Sequence, residues 1–251
     1  MSKSFARWQQ LLLGLVGILL LMLLPWTIAV AMGVRPVILP PIHTVVSTLA
    51  SLLAGGGLIA AALVSLVRVN GGFALALVTA VPVGILLGRY RLLFLAAEAM
   101  VESFRFVIPF AWIPLAILWF GTAEAGKIFI IWYAGFFVLL LPTIAAVQSV
   151  DRDLVKAART LGASEFMIFR KVVLPAILPE LVTAMRVAFA ICWISILAAE
   201  LVASRAGLGY LISDARELLQ TDVVIAGMIV IGCIGAFYNW LFSWLERRVA
   251  R

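Results

Sequence analysis

Apolar residues run along this chain in long blocks, not in alternation. Seven stretches carry no Asp, Glu, Lys or Arg, or are interrupted once: 11–34, 36–67, 69–88, 106–123, 128–150, 187–204 (broken only by Glu200) and 223–245. A helix needs about 20 residues to cross a bilayer, so the pattern predicts an all-α polytopic membrane protein. A transmembrane barrel would show short alternating segments instead. The first span is predicted over 11–31, with Pro25 as a kink site. The stretch Pro36-Val37-Ile38-Leu39-Pro40-Pro41 is predicted extended or turn-like, because a residue before proline avoids the helical region.

Residues 36–88 admit two readings. One places an outer re-entrant or interfacial helix over 43–65 and a single span over 67–88. The other places two spans around Arg68-Val69-Asn70-Gly71-Gly72. The first is preferred and gives about six spans. Span two then ends at Gly88-Arg89-Tyr90-Arg91. Span three carries Pro109 and Pro114 and is predicted to bend or to begin late. Span four covers 127–148. Pro175 and Pro179 are expected to break span five, 181–203, from the charged stretch before it, and span six covers 223–244. The expected organisation is an N-terminal helix with its outer segment (1–66), a core transmembrane domain (67–245) and a tail (246–251).

Charge orients these spans. The net charge is +7 and 65% of residues are hydrophobic. In a soluble chain that basicity would suggest nucleic acid; here the positive-inside rule accounts for it and no nucleic-acid partner is expected. Lys3 and Arg7, then Arg89, Arg91 and Arg105, then Arg152, Lys156, Arg159, Arg170 and Lys171, then Arg247, Arg248 and Arg251 fall on one side of a six-span chain. That side is the cytoplasm, with both termini in it. Arg35, Lys127, Arg205 and Arg216 fall outside, with Arg68 near them. The seven-span alternative would move Lys3 and Arg7 outward. The first apolar run is too long for a simple signal peptide and is expected to stay in the mature protein. Cys192 and Cys233 lie in apolar runs and read as buried small hydrophobes, not as a disulfide.

One segment departs from this pattern. Residues 151–175 hold eight of the 31 charged side chains, 19 basic and 12 acidic in all. Asp151 and Asp153 suit the positive end of a short helix. Ala157, Ala158, Leu161, Phe166 and Phe169 are expected to form a packing face. Gly162 would permit a sharp turn between two short helices lying along the membrane. Such a segment is either a handle on which a soluble partner pulls or an amphipathic loop resting on lipid.

The spacing Lys156-Ala157-Ala158, Gly162, Leu174-Pro175 resembles the EAA signature of ABC importer permeases: Glu-Ala-Ala, three residues, Gly, nine residues, Ile-x-Leu-Pro. Lys156 stands where the signature has Glu, and Val172 where it has Ile. Over nearly its whole length the chain looks most like the permeases of the nitrate/sulfonate/taurine class. The strings that carry this are Ile38-Leu39-Pro40, 109–121 (PFAWIPLAILWFG), Ala157 to Ala163, Val173-Leu174-Pro175, Ala198 to Glu200, and Gly207-Leu208-Gly209-Tyr210-Leu211-Ile212. Pro142, where many relatives have Asn, and Asn239, where an acidic residue is common, depart from it.

The resemblance implies a type I (MetI-like) importer permease fold in a bacterial inner membrane. It implies a homodimer of permease chains and two cytoplasmic ATPase subunits that hold ATP and Mg. It also implies an outer solute-binding protein. The coupling helix would use Lys156, Ala157, Ala158, Arg159, Gly162, Ala163, Phe166, Leu174 and Pro175. The outer loop with Gly207, Gly209, Tyr210 and Arg216 would be a candidate contact for the binding protein. The solute would be small and anionic.

Pathway or gating candidates are fewer. Glu200 is the acidic residue deepest in an apolar run, and an ionisable group there faces protein or water. It is expected to meet a helix end, a backbone donor or a partner residue, in a structural or gating role. Pro109 and Pro114 would interrupt a helix near the axis, as discontinuous helices do at transport sites; Trp112 and Trp193 are pore or packing residues. Arg186 would meet phospholipid or protein. His43 is alone, and a metal site needs more ligands. The Gly55-Gly56-Gly57 run lacks the Lys-Ser/Thr of a P-loop, so no ATP chemistry is expected of this chain. A secondary transporter or channel working without ATPase partners is the main alternative.

Overall fold

The computed structural model describes Trp26, Gly33, Arg35 and residues 38–249. The expected first span over 11–31 with its Pro25 kink, and Lys3, Arg7 and Arg251, lie outside the described residues, Trp26 apart.

Among the described residues every regular element is helical. The chain runs through α1 (Ile42–Ala54), α2 (Gly57–Arg89), α3 (Arg91–Arg105), a 3-10 turn (Pro109–Trp112) and α4 (Ile113–Phe120). It continues through α5 (Glu124–Ser149), α6 (Arg152–Thr160), α7 (Glu165–Ile168), a π turn (Phe169–Val173), α8 (Leu174–Ala203), α9 (Leu208–Glu217) and α10 (Thr221–Val249). The segments Gly57–Arg89, Glu124–Ser149, Glu165–Ala203 and Thr221–Val249 are long and apolar enough to cross a membrane. α3 and the Pro109–Phe120 segment, bent by 83°, can supply one more crossing.

The choice over 36–88 resolves to one span. α1 stops at Gly55, and Gly56 takes a φ of +74°, a conformation glycine adopts without steric cost. The helix break therefore falls at 55–56 and not near 66, and α2 runs unbroken for 33 residues, about 50 Å. Thr48 donates to Asp222 at 2.6 Å and ties α1 to the start of α10.

α2, α5 and α8 form the core. Gly72, Ala76, Ala80, Gly84 and Gly88 recur every fourth residue along one face of α2. A Cβ added at Gly72, Gly84 or Gly88 would lie 2.5, 2.8 or 2.7 Å from Ile131, Thr143 or Val147 of α5. Small residues at this spacing let helix backbones approach closely in a membrane, where dispersion contacts drive helix pairing. Gly135 of α5 answers from the other side, against Cys192 and Ala76. Phe73, Phe189 and Phe242 close the core edge-on, and Tyr238 stacks on Phe189 at 4.1 Å.

Two expectations need correction, and one about span three holds. Pro175 and Pro179 do not break span five: the helix runs from Leu174 to Ala203 through both. Pro175 follows directly on the π turn Phe169–Val173, which continues into the helix with helical dihedrals, and Pro179 deletes one bond from a long helix. Span three is bent as expected: it is broken by 83° after Arg105, and Pro109 and Pro114 each stand in the first turn of a short helix beyond the break. Cys192 is buried and donates to the Ile131 carbonyl at 3.3 Å, but Cys233 is exposed on α10.

Candidate functional site

The charged segment folds as a hinge between α5 and α8. The Asp151 side chain accepts from the Asp153 N–H at 2.8 Å and caps α6; the Ser164 hydroxyl accepts from Met167 N–H and caps α7. Between them Gly162 has a φ of +78°, and a Cβ placed there would meet nothing within 4 Å. Glycine is therefore used for its backbone freedom and not for space. The turn closes with Gly162 N–H on the Arg159 carbonyl at 2.9 Å and Ala163 N–H on the Ala158 carbonyl at 3.1 Å.

The packing face differs from the expected one. Ala158, Ala163 and Phe169 do turn inward, with Val155, onto a cluster of Ala146, Ile168, Val173 and Ile177. Ala157, Leu161 and Phe166 turn outward; Leu161 is 87% and Phe166 71% exposed. The i, i+3 and i, i+4 geometry of α6 allows one inward stripe, and the turn at Gly162 reverses the chain before Phe166 can join it. Lys156, Arg159, Gly162 and Pro175 are also exposed, and Leu174 is half-buried.

Polar ties fix this hinge. Lys156 pairs with Asp153 at 2.9 Å. Glu165 accepts from Arg159 at 2.9 Å and from Arg89 at the end of α2. One carboxylate thus joins the C-terminal end of α2 to both short helices. A cavity of about 860 Å³ opens beside it, bordered by Arg89, Tyr90, Phe94, Glu98 and Lys156.

At the opposite end of the bundle, Glu200 is fully buried. One carboxylate oxygen accepts from Arg68 at 2.7 Å, the other from Ser65 at 2.7 Å and from the Gly209 N–H at 3.0 Å. Glu200 thereby meets all three of its expected kinds of partner. Arg68 also grips both oxygens of Glu124 at 2.6 Å and donates to the Ala206 carbonyl at 2.6 Å. Buried Lys127 reaches Glu124 at 2.9 Å. Arg68, Ser65, Glu124 and Lys127 were not singled out from the sequence as site residues; Arg68, a lone charge between the apolar runs 36–67 and 69–88, was the available signal. Gly207 and Gly209 are buried against Glu200, while Tyr210 and Arg216 are exposed.

The remaining pathway candidates spread across the fold. Pro109 is half-buried and Pro114 exposed at the bend, with Trp112 packed on Tyr133 at 5.1 Å. Trp193 lies in the α2–α5–α8 core, and its indole N–H has no acceptor. Arg186 binds Asn239 at 2.8 Å and Glu246 at 3.3 Å, linking α8 to α10.

Comparison with known proteins agrees with this architecture. Residues 80–251 match the family described as binding-protein-dependent transport system inner membrane component. A Methanocaldococcus jannaschii chain named for an ABC transporter permease is 42% identical, over 84% of this chain and 81% of its own length. The taurine transport system permease protein of Escherichia coli is 34% identical, over 97% of this chain and 91% of its own. A bicarbonate transport system permease protein of Synechococcus elongatus is 34% identical, over 78% of this chain and 70% of its own. In fold, the chain resembles an inward-facing MetNI methionine ABC transporter, with a TM-score of 0.67 at 22% identity over 78% of this chain and 97% of that one. With its EAA-spaced hinge and helical core, this chain belongs to the binding-protein-dependent transport system inner membrane components, the multi-pass permease subunits of ABC importers.

Proposed function

We propose that this permease carries a small solute bearing an oxyanion group, of the taurine, sulfonate or bicarbonate kind, inward, driven by ATP hydrolysed on separate subunits. Two copies of the chain line one path, since one copy leaves α3 without a buried residue and α4 with two. Two cytoplasmic ATPase subunits, holding ATP and Mg, dock on 151–175 of each copy. An outer solute-binding protein delivers the solute at the α9 face. Both chain termini are cytoplasmic, which puts the Arg89, Arg159 and Arg247 clusters inside.

The observation that carries this reading is the outward pair Leu161 and Phe166 on a hinge whose other side is anchored by Ile168, Val173 and Ile177. Large apolar side chains turned outward on a rigid, otherwise charged support suit docking to a partner's groove. ATP binding would close the ATPase pair and shift the two hinges, and α8 would carry the shift into the membrane. The work comes from the different affinities of the two states for ATP and for the loaded binding protein.

The test is purification with natively co-expressed neighbours, followed by ATP-dependent uptake of radiolabelled taurine, bicarbonate and nitrate into proteoliposomes. Recovery of an ATPase with wild type and its loss with Gly162→Arg supports the reading. Recovery of the chain alone, with uptake independent of ATP, overturns it in favour of a stand-alone transporter or channel.

A further inference from the structure

The Glu200 site has the construction of a mechanical joint. The residue before α9 is Gly207, which has no side chain to cap the helix. The first N–H groups of any helix lack partners within that helix. Here Leu208 N–H is taken by Ser65 of α2 at 2.9 Å, and Gly209 N–H by Glu200 of α8 at 3.0 Å. The cap of α9 is thus supplied by two membrane helices. It depends on glycine twice: a Cβ at Gly207 would fall 2.3 Å from a Glu200 carboxylate oxygen, and one at Gly209 2.5 Å from the Leu197 carbonyl.

The joint is also charge-balanced, with Glu124 exposed at its rim. Arg68 and Lys127 offset Glu124 and Glu200, and Arg68, Lys127 and Glu200 are all buried. Arg68 gathers the start of α5, through Glu124, and the α8–α9 loop, through the Ala206 carbonyl. A buried ion pair with full hydrogen bonding resists separation, because breaking it strands a charge away from water. On its outer side α9 presents Tyr210, Asp214, Arg216 and Glu217 to solvent. From Glu200, α8 runs without a break back to Leu174, directly after the π turn of the hinge.

We infer that Arg68, Glu200 and Ser65 are positioning residues that make α9 and α8 one rigid lever, through which docking at the outer face of α9 is felt at the cytoplasmic hinge. Coupling between distant sites travels through packed elements and ion networks of this kind. The inference rests on the importer reading, because it needs a binding protein outside and an ATPase inside. Ser65 and Arg68 contribute without touching either partner; they act by holding Glu200 on the α9 N-terminus.

The experiment compares ATPase rates of the intact complex in nanodiscs, with and without the cognate solute-binding protein, for wild type, Glu200→Gln, Arg68→Lys and Ser65→Ala. The readout is the ratio of stimulated to unstimulated rate. A joint that transmits docking makes this ratio fall about fivefold or more in Glu200→Gln, with a smaller fall in Ser65→Ala and partial retention in Arg68→Lys. A residue needed only for folding lowers both rates together, and an unchanged ratio in Glu200→Gln overturns the inference. If Glu200→Gln does not assemble, Ser65→Ala decides alone by the same criterion. A wild-type complex that recovers no ATPase overturns the importer reading and the inference with it. A wild-type complex that hydrolyses ATP but shows no stimulation overturns the lever only.

Discussion

Arg68 and Glu200 stand 132 residues apart in the chain and meet at 2.7 Å with both side chains buried. Each would be costly to bury alone, and each is tolerated because the other is there. Their pairing decides where α2 sits against α8, and it holds the start of α9 in place. It therefore gives the first prediction. Arg68→Ala leaves Glu200 buried without its cation and lowers stability by about 3–5 kcal/mol. Thermal unfolding in detergent should show a large drop for Arg68→Ala. The double change Arg68→Met with Glu200→Met should be milder, because no charge is left stranded.

Adjacent glycines in α2 should behave oppositely. Gly72 faces α5 with Ile131 where its Cβ would be, whereas Gly71 has nothing within 4 Å. Gly72→Ala forces the two helices apart and should cost about 1–3 kcal/mol. Gly71→Ala gains helix propensity and should be neutral or stabilising by up to about 1 kcal/mol. Unfolding midpoints of the two variants, measured side by side, check the face assignment without any knowledge of the solute.

At the hinge, Phe166 should separate docking from folding. It is 71% exposed, so Phe166→Glu should change stability by no more than about 0.5 kcal/mol. The same change puts a charge into the apolar docking surface and should abolish co-purification of the ATPase. An unfolded or degraded Phe166→Glu chain would mean that the residue packs inside the permease after all.

Gly162 should tolerate residues by backbone preference and not by size. With φ at +78° and open space around it, Gly162→Asn should retain much of the transport and Gly162→Val little. The left-handed region costs about 1–2 kcal/mol for an ordinary L-residue, and Asn visits it more readily. Initial rates of ATP-dependent uptake in the two variants give the order.

Sidedness can be read from single cysteines. In a background with Cys192 and Cys233 replaced, Leu161→Cys should react with a membrane-impermeant maleimide only in inside-out vesicles. Leu218→Cys, on the exposed end of α9, should react only in right-side-out vesicles. Labelling of both from one side would discard the orientation argued from the basic clusters.

Hydropathy alone was enough for the helical membrane class and for most span positions, because a bilayer imposes a length and an apolarity that read directly off one dimension. The spacing from Ala157 to Pro175 likewise marked the hinge, through its resemblance to the EAA signature. The ladder at 72, 76, 80, 84 and 88 was also present in the sequence, as a small residue at every fourth position. Other features depended on partners distant in the chain. Leu161 and Phe166 could not be told from Ala158 and Phe169 by apolarity, because burial depends on where Ile168 and Ile177 fold back. Nor could the sequence choose a partner for Glu200. An apolar run shows that a charge is out of place, but which helix brings the compensating Arg68 to it is settled only when α2, α5 and α8 pack together. Charge pairing in a dry interior acts over a few ångströms of space, and only the fold converts 132 residues of chain into that distance.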